Sequence, residues 1–222
     1  MAKSNAAARD EIIASIRRNL AVSAPFDAVR QEDHGHREEV QFVNAVVSPS
    51  TVLDNFRVSA EMLAVHFSLA ENNEAATKIV EETIERLGAK RVAISSSDIV
   101  ATITESIAST QFIEKASAEV LFDCDLGITS AQWAIAETGT LVLESEKENS
   151  RLTSLVPTVH LCIVKASRIR QTLGEILSLT RPELSRTMTF ITGASRTSDI
   201  ELTLAIGVHG PKELHVVVIN DQ

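Results

Sequence analysis

The stretch Glu74–Ser95, EAATKIVEETIERLGAKRVAIS, decides the fold class of this 222-residue chain. The residues on one side of its helical pattern are Ile79, Val80, Thr83, Ile84 and Leu87. The pattern ends at Gly88, a residue typical of helix ends, and the short strand pattern Arg91–Ser95 follows at once. A helix that leads directly into a strand is one step of a βαβ arrangement, and it predicts a largely parallel sheet.

Outward from this stretch, helix and strand patterns alternate along most of the chain. Further helices are predicted at Thr51–Phe67, Ile99–Ala108 and Ile169–Leu177. Further strands are predicted at Glu119–Phe122, Thr140–Leu143, Val159–Val164, Thr187–Thr192 and Leu214–Ile219. The unbroken apolar runs Leu161–Val164 and Val216–Ile219 are typical of strands covered on both faces. The sequence therefore predicts an α/β fold, a three-layer α/β/α sandwich with a mostly parallel sheet.

A helical arm is predicted to precede this sandwich. Ala6–Leu20 places its apolar residues on one helical face, which indicates an amphipathic helix. The charged stretch Ser23–Val40 follows no period and is predicted to be a flexible linker. Its His34 and His36 could bind a metal, but two histidines in a charged linker are more typical of solvated side chains. We therefore divide the chain into the helix and acidic linker, residues 1–40, and an α/β domain, residues 41–222.

The composition excludes several classes of function. The formal net charge of −9 repels phosphate backbones and anionic membranes, so nucleic acid is not an expected partner. The two cysteines, Cys124 and Cys162, are too few and too far apart for an iron–sulfur cluster or a disulfide framework. Met1–Leu20 carries charges throughout, and no later run reaches membrane-spanning length. These features predict a cytoplasmic protein with no membrane span.

Four polar, glycine-bearing segments lie beside predicted strand ends, and the first is Asp125–Leu143, DLGITSAQWAIAETGTLVL. A glycine before a strand lets backbone amides approach a ligand, and Thr138 and Thr140 add hydroxyls. We expect Glu137 to have a catalytic role, and Thr138 and Gly139 to bind a ligand. The alternative is that Gly139 only forms a turn and Glu137 is a solvated loop residue.

The second segment is Asn149–His160, NSRLTSLVPTVH. Arg151 lies in its polar loop, where a guanidinium can bind a carboxylate or phosphate in bidentate geometry. His160 begins an apolar strand and can act there as an acid or base. The alternatives are a plain surface arginine and a hydrogen-bonded structural histidine.

The third segment is Ile191–Glu201, ITGASRTSDIE, which follows a predicted strand. Strand ends of this kind are common ligand sites in open α/β sheets. The candidate ligand contacts are Ser195, Arg196 and Thr197. Ser198 and Glu201 instead fit a capping box, in which the serine caps a helix and the glutamate reaches back to it.

The fourth segment is Gly207–Leu214, GVHGPKEL, which has the residues of a tight turn before the last strand. It displays His209 at the tip of the predicted turn, where this third candidate catalytic residue, after Glu137 and His160, would be accessible. Since all four segments adjoin predicted strand ends, we expect them to meet in one crevice.

In this order, the four segments resemble the lactate utilisation protein C family of LUD domain proteins. The matching runs are IAETGTLVL, Arg151–His160, TGASRTSDIE and GVHGPKELHVVVI, within residues 74–219. Ala194 and Ser198 stand where the family often has proline and alanine. Neither change removes a charged or catalytic type of group.

The resemblance implies the fold of the sugar-phosphate isomerase and CoA-transferase-like superfamily, a three-layer α/β/α sandwich. It also implies a part in the oxidation of L-lactate to pyruvate, alongside two partner proteins that carry iron–sulfur clusters. The two cysteines fit this division, because redox chemistry would then lie on a partner or a bound cofactor. No cofactor and no metal site are predicted within the chain itself, and a homo-oligomer is compatible with the pattern.

Three hypotheses are open at this point. In the first, the chain is a cluster-free subunit of a lactate-oxidising system, in which Arg151 or Arg196 holds a small carboxylate and His160 or His209 handles a proton. In the second, it is an independent isomerase or acyl/CoA transferase with Glu137 as nucleophile or base. In the third, it is an assembly or regulatory protein whose N-terminal helix and linker dock a partner.

Overall fold

The helix and the strand predicted within Glu74–Ser95 are both present in the computed structural model. The helix, Asn73–Leu87, begins after Asn72, whose side chain accepts a hydrogen bond from a first-turn backbone N–H at 2.9 Å, and it ends at Gly88. The strand is Val92–Ile94, and all three of its residues are buried. The structure describes residues 5–22, 49–148, 150–180, 185–198, 204–206 and 210–221.

Strands and helices are numbered here in chain order. The strands are β1 (His66–Ala70), β2 (Val92–Ile94), β3 (Phe112–Glu114), β4 (Leu126–Ser130), β5 (Trp133–Ile135), β6 (Thr140–Glu144), β7 (Val159–Lys165), β8 (Ile169–Arg170), β9 (Met188–Ile191), β10 (Arg196–Ser198), β11 (Leu204–Ile206) and β12 (Glu213–Ile219). The helices are α1 (Asn5–Val22), α2 (Pro49–Met62), α3 (Asn73–Leu87), α4 (Asp98–Thr104), α5 (Ala118–Phe122), α6 (Ser145–Glu148) and α7 (Leu173–Thr180). Among the described residues, no helix has both the length and the apolar character needed to span a membrane.

The strands form one large sheet and two small ones. Helix α1 belongs to the unit Met1–Val43, and the other elements belong to the unit Asn44–Gln222. In the second unit the central sheet has the order β1-β12-β7-β4-β2-β3, and every neighbouring pair is parallel. A four-stranded mixed sheet has the order β8-β5-β6-β9, and β10 and β11 form an antiparallel pair.

Both faces of the central sheet are covered. Helices α3 and α4 cover one face, where buried residues such as Val80 and Ile103 pack in one cluster with Leu126 and Leu161. Alternate strand residues point to the opposite face, which is covered by α2, the mixed sheet and α5. The predicted α/β fold with a mostly parallel sheet flanked by helices is confirmed. A detail not predicted is that one outer layer is partly a β-sheet.

Several predicted elements differ from the structure. The helix predicted from Ile169 begins at Leu173, because Ile169 and Arg170 form the short strand β8. Glu119–Phe122 lies in helix α5 and not in a strand, because the Ser117 side chain caps the start of a helix too short for its period to show. The helix predicted to reach Phe67 ends at Met62, and β1 begins at His66. The turn between them uses a left-handed alanine with φ of 58°, so no glycine marks the helix end.

The predicted helix start at Ser198 is also wrong. Ser198 lies in β10 and pairs with Leu204 of β11, so it does not cap a helix. Its predicted capping partner, Glu201, lies outside the described residues. Strand pairing across a hairpin is a contact between separate stretches, and it overrode the local capping pattern.

Candidate functional site

Neighbouring strands of the central sheet send their connections to opposite faces at one point. After β2 the chain enters α4 on one face, whereas after β4 it enters β5 and β6 on the other. Because β2 and β4 are paired, a crevice opens at their carboxyl ends, where open α/β sheets commonly bind ligands. This carboxyl-edge crevice has a volume of about 640 Å³, and Ser96, Ser97, Ser130 and Gln132 are among the residues that line it.

A buried carboxylate holds the wall of the carboxyl-edge crevice in place. Glu148, only 1% exposed, accepts hydrogen bonds from the backbone N–H of Ser130 at 2.9 Å and from its hydroxyl at 2.5 Å. It also accepts one from the amide of Gln132 at 2.7 Å, while the amide oxygen of Gln132 accepts from the backbone N–H of Glu144 at 2.6 Å. These bonds tie α6 and β6 to the end of β4. We therefore infer that Glu148 holds the crevice residues Ser130 and Gln132 in position.

The carboxyl-edge crevice carries charges of both signs. Its lining includes the cations Lys147, Lys165 and Arg168 and the carboxylates Asp98, Glu144 and Glu146. The guanidinium of Arg168 also lies over the Trp133 ring, 5.0 Å from the ring centroid. Such a lining suits a ligand that combines an anionic group with hydrogen-bonding groups.

A second, smaller cavity lies at the amino ends of β7 and β12. This His160 cavity has a volume of about 200 Å³, and its polar side chains come from Ser154, His160 and Ser195. Gly193 and Gly210 add backbone to the lining. Three of the four segments singled out in the sequence therefore meet here. They meet at the amino edge of the central sheet, since His160 lies at the start of β7 and Gly210 and Pro211 precede β12. The third segment reaches this edge because the strand before it, β9, belongs to the mixed sheet and not to the central one.

His160 is the most unusual side chain of this cavity. It is 1% exposed, and its Nε2 lies 2.8 Å from the hydroxyl of Thr129. Within the described part of the chain, its Nδ1 is the one buried side-chain polar atom without a hydrogen-bond partner. Burial, followed by the nearby His215 ring, lowers the pKa of His160 to about 3. The ring is thus neutral at physiological pH and can offer Nδ1 to a ligand.

The predicted catalytic residue Glu137 lines neither cavity. Its carboxylate accepts a hydrogen bond at 3.2 Å from the backbone N–H of Leu173, the first residue of α7. A carboxylate at this position satisfies one unpaired N–H and interacts favourably with the helix dipole. The geometry gives Glu137 a helix-capping contact.

Thr138 and Gly139 also lie outside the two cavity linings. The hydroxyl of Thr138 is hydrogen-bonded to that of Thr140 at 2.7 Å, which is bonded in turn to Thr192 at 2.8 Å. Gly139 has φ of 64°, and a Cβ there would lie 2.8 Å from the backbone nitrogen of Ala60. Only glycine lets this turn pack against α2.

The other predicted ligand contacts are distributed as follows. Ser195 lines the His160 cavity, whereas Arg151 and Arg196 are exposed and line neither cavity. Thr197 pairs with Ala205 through the β10–β11 hairpin. His209 lies outside the described residues.

Two residues of the His160 cavity and its surroundings had no predicted role. Ser154 belongs to the second predicted segment, and its position three residues after Arg151 in a polar loop is a sequence signal for a ligand contact. Thr129 lies in β4, opposite Cys162 of β7. Its approach to His160 depends on strand register, which the local sequence does not reveal.

The fold and the two cavities define an open α/β protein with a cavity at each edge of a parallel sheet. Comparison with known sequences gives the family. The LUD domain family model matches residues 53–219, which is most of the chain. This chain therefore belongs to the LUD domain family.

Curated relatives include proteins described as lactate utilization protein C. The one from Oceanobacillus iheyensis is 24% identical over 230 residues, covering 96% of this chain and 98% of its own length. The one from an Exiguobacterium species is 28% identical over 225 residues, covering 96% of each chain. An uncharacterized protein of Neisseria meningitidis is 36% identical over 132 residues, which span 58% of this chain and about half, 54%, of that protein.

A solved structure supports the fold. The crystal structure of a DUF162 family protein from Deinococcus radiodurans matches with a TM-score of 0.64 and 24% identity. The match covers 78% of this chain and 99% of the other. At this identity the likeness concerns the fold alone.

Proposed function

We propose that this chain is a cluster-free component of a lactate utilisation system and that it holds a small carboxylate in the His160 cavity. The relatives described as lactate utilization protein C support the first part, since two of them align over 96% of this chain. The second part rests on one observation, the buried and unpartnered Nδ1 of His160 beside the cavity. Such an atom costs about 1–3 kcal/mol, and a hydrogen bond to a ligand would offset this cost.

The size and lining of the cavity suit a three-carbon hydroxy or keto acid such as lactate or pyruvate. Its polar side chains are Ser154, His160 and Ser195, and its large apolar ones are Leu155, Phe190, Ile191 and Leu214. Oxygen atoms of the acid would bond to the first group, and its methyl group would pack against the second. A volume of about 200 Å³ is sufficient for an acid of this size.

His160 is better suited to binding than to proton transfer. A ring with a pKa of about 3 is a weak base at neutral pH, so removing a proton from a lactate hydroxyl would gain little from it. If Thr129 donates to Nε2, then Nδ1 carries the proton and donates to a ligand oxygen. Arg196 directly follows Ser195 in sequence and is our candidate for a cation that attracts the carboxylate.

We place electron transfer on iron–sulfur oxidoreductase partners. Both cysteines of the chain are buried, and burial raises the pKa of the Cys124 thiol and of the Cys162 thiol. Cluster ligation needs the thiolate form, which this burial disfavours. In this proposal the chain contributes substrate binding, and its partners contribute redox chemistry.

Titration calorimetry with L-lactate and with pyruvate, on the full chain alone and with its copurified partners, tests the site. Ser195→Ala in the His160 cavity is matched by Ser96→Ala in the carboxyl-edge crevice, since both serines are half-buried. We expect Ser195→Ala to weaken binding about fivefold, as for one lost hydrogen bond of about 1 kcal/mol, and Ser96→Ala to leave it unchanged. Binding of neither acid in either setting would refute the proposal, and weakening by Ser96→Ala alone would move the ligand to the crevice.

The carboxyl-edge crevice supports a second candidate, an isomerase or acyl/CoA transferase-like enzyme. Its position at the ends of β2 and β4 and its three cations suit a phosphate-bearing ligand. Glu137 does not line the crevice, whereas Glu144 does and is 8% exposed. Incubation with acetyl-CoA and succinyl-CoA, followed by intact-mass measurement, would support this candidate by an acyl or CoA adduct. No adduct with either thioester would count against it.

The assembly hypothesis depends on the N-terminal arm, residues 1–40. Deleting this arm separates assembly from ligand binding, because both cavities are lined by residues of the second unit. If the arm docks the partners, the truncated chain loses partner copurification and keeps carboxylate binding. Copurification that survives the deletion would contradict a docking role for the arm.

A further inference from the structure

A cluster of two histidines and one carboxylate lies outside the linings of both cavities described above, although its His215 is close to His160. His66 of β1 and His215 of β12 are register partners on neighbouring parallel strands, and their rings stack with centroids 4.4 Å apart. Glu213 lies two residues before His215 and so projects from the same face of β12. Three side chains that can ligate a metal therefore stand together at one edge of the central sheet.

The distances within the cluster are close to those of a bound metal. The Nε2 of His215 lies 3.5 Å from Oε2 of Glu213, and the Nε2 of His66 lies 3.9 Å from the same oxygen. All three ligand atoms lie within 4.8 Å of one another. Around a tetrahedral zinc ion bound at about 2.1 Å, neighbouring ligand atoms are about 3.4 Å apart. Shifts of a few tenths of an ångström bring both carboxylate pairs to this spacing.

Binding also requires one change in the rings. The two rings are only 13° from parallel, so their in-plane lone pairs run side by side and do not converge. The His66 side chain is 56% exposed and the Glu213 side chain 46% exposed, whereas His215 is 5% exposed. The exposed His66 ring can therefore tilt toward the fixed His215 ring without disturbing the core.

The surroundings leave the cluster accessible and do not repel a cation overall. His66 and His215 line an open cleft of about 670 Å³. The charged residues of the same cleft are Glu61, Glu82 and Arg86. Arg86 opposes a positive ion, and Glu61 is paired with Arg57 at 2.8 Å, but the carboxylates of Glu82 and Glu213 outnumber Arg86. A metal ion can reach the three side chains from solvent and keep an open coordination position toward the cleft.

We propose that His66, Glu213 and His215 form a binding site for a divalent first-row transition metal ion. Two imidazoles and a carboxylate are the donor set of zinc, nickel, cobalt and copper sites, and not of calcium or magnesium sites. The bound ion joins β1, an edge strand, to β12 in the interior of the sheet. The proposal is independent of the carboxylate site, since none of its residues lines the His160 cavity.

Zinc titration calorimetry and visible absorption with Co²⁺ on the full chain test the site. The variants are His66→Gln and Glu213→Gln, chosen because both wild-type side chains are about half exposed. The control is the double variant His34→Gln with His36→Gln, which removes the other histidine pair of the sequence. We expect one ion per chain, at least about tenfold weaker binding in either ligand variant, and no change in the control.

A second measurement reports on the link between the strands. At the same zinc concentration, zinc is expected to raise the melting temperature of the wild-type protein and of the control more than that of His66→Gln. Zinc binding that survives in both ligand variants would overturn the proposal. Binding that is lost in the control instead would assign the metal to His34 and His36.

Discussion

Lowering the pH from 7 to 5 is expected to destabilise the folded protein through His160. The ring is 1% exposed, and burial with the nearby His215 lowers its pKa to about 3. In the unfolded chain the ring has an ordinary pKa of about 6.5, so the unfolded state takes up the proton first as the pH falls. A group whose pKa is lower in the folded state than in the unfolded state contributes its full stabilisation at pH values above the unfolded pKa. That stabilisation is lost between about pH 6.5 and pH 3.

The size of the effect follows from this difference in pKa. At pH 5 the unfolded ring is almost fully protonated, whereas the folded ring is still neutral. The gap of about 1.5 units between pH 5 and the unfolded pKa, at about 1.4 kcal/mol per unit, gives a loss of about 2 kcal/mol in the free energy of unfolding. Domains are commonly stable by about 5–15 kcal/mol, so urea unfolding resolves a change of this size.

The assay is urea unfolding, followed by circular dichroism, at pH 7 and pH 5 and constant ionic strength. His160→Gln is expected to reduce the pH-dependent loss by about 2 kcal/mol relative to wild type. His215, whose pKa burial and then His66 lower to about 4, maintains part of the dependence in this variant. His34→Gln is the control and is expected to behave as wild type. A variant His160→Gln with the full wild-type pH dependence would refute the neutral buried ring, and with it the basis of the carboxylate site.

Three further predictions concern packing and hydrogen bonds of the described residues. Gly127→Ala places a Cβ 2.0 Å from the backbone carbonyl oxygen of Thr153, and we expect it to lower the free energy of unfolding, measured in urea, by at least about 3 kcal/mol. Gly88→Ala is the control: its Cβ meets open space, and only the φ of 60° is strained, so we expect a loss of about 1 kcal/mol. Glu148→Gln removes the carboxylate that accepts hydrogen bonds at the crevice wall, and we expect it to lower the free energy of unfolding by about 1–3 kcal/mol. Glu146→Gln is the control, because Glu146 is exposed, and we expect a negligible change. Glu137→Gln weakens the contact with the start of α7, and we expect it to lower the free energy of unfolding by about 0.5–1 kcal/mol in the same assay. We expect lactate binding to be unchanged in this variant. Loss of lactate binding would show that Glu137 belongs to the ligand site.

The sequence predicted those elements that a local pattern defines. Helix α3 has a full apolar face and ends at Gly88, and β7 and β12 contain unbroken apolar runs, so each is present close to its predicted bounds. Elements of three to five residues, such as α5 and β5, are too short for a period to appear. The mixed sheet pairs β6 with β9, which lie far apart in sequence, and such a pairing has no local signal.

The candidate site was also predictable only where a local pattern marks it. Motif residues such as His160 and Ser195 could be singled out by residue type and by their position beside strands, and both line the His160 cavity. The edge of the sheet was not predictable, because the third segment follows a strand of the mixed sheet. The role of Glu137 depends on where α7 begins, and Glu148 and Ser130 meet only through the folding of α6 against β4.

The choice between the two cavities depends on which one holds polar groups that the protein itself leaves unsatisfied. In the carboxyl-edge crevice the buried Glu148 already accepts bonds from Ser130 and Gln132, so its wall is complete without a ligand. His160 uses one ring nitrogen on Thr129 and leaves the other buried beside an open volume. The unpaired nitrogen costs stability in the protein without a ligand, and a hydrogen bond to a ligand would offset that cost. Although open α/β sheets usually bind ligands at their carboxyl edge, this imbalance favours the amino-edge cavity as the ligand site.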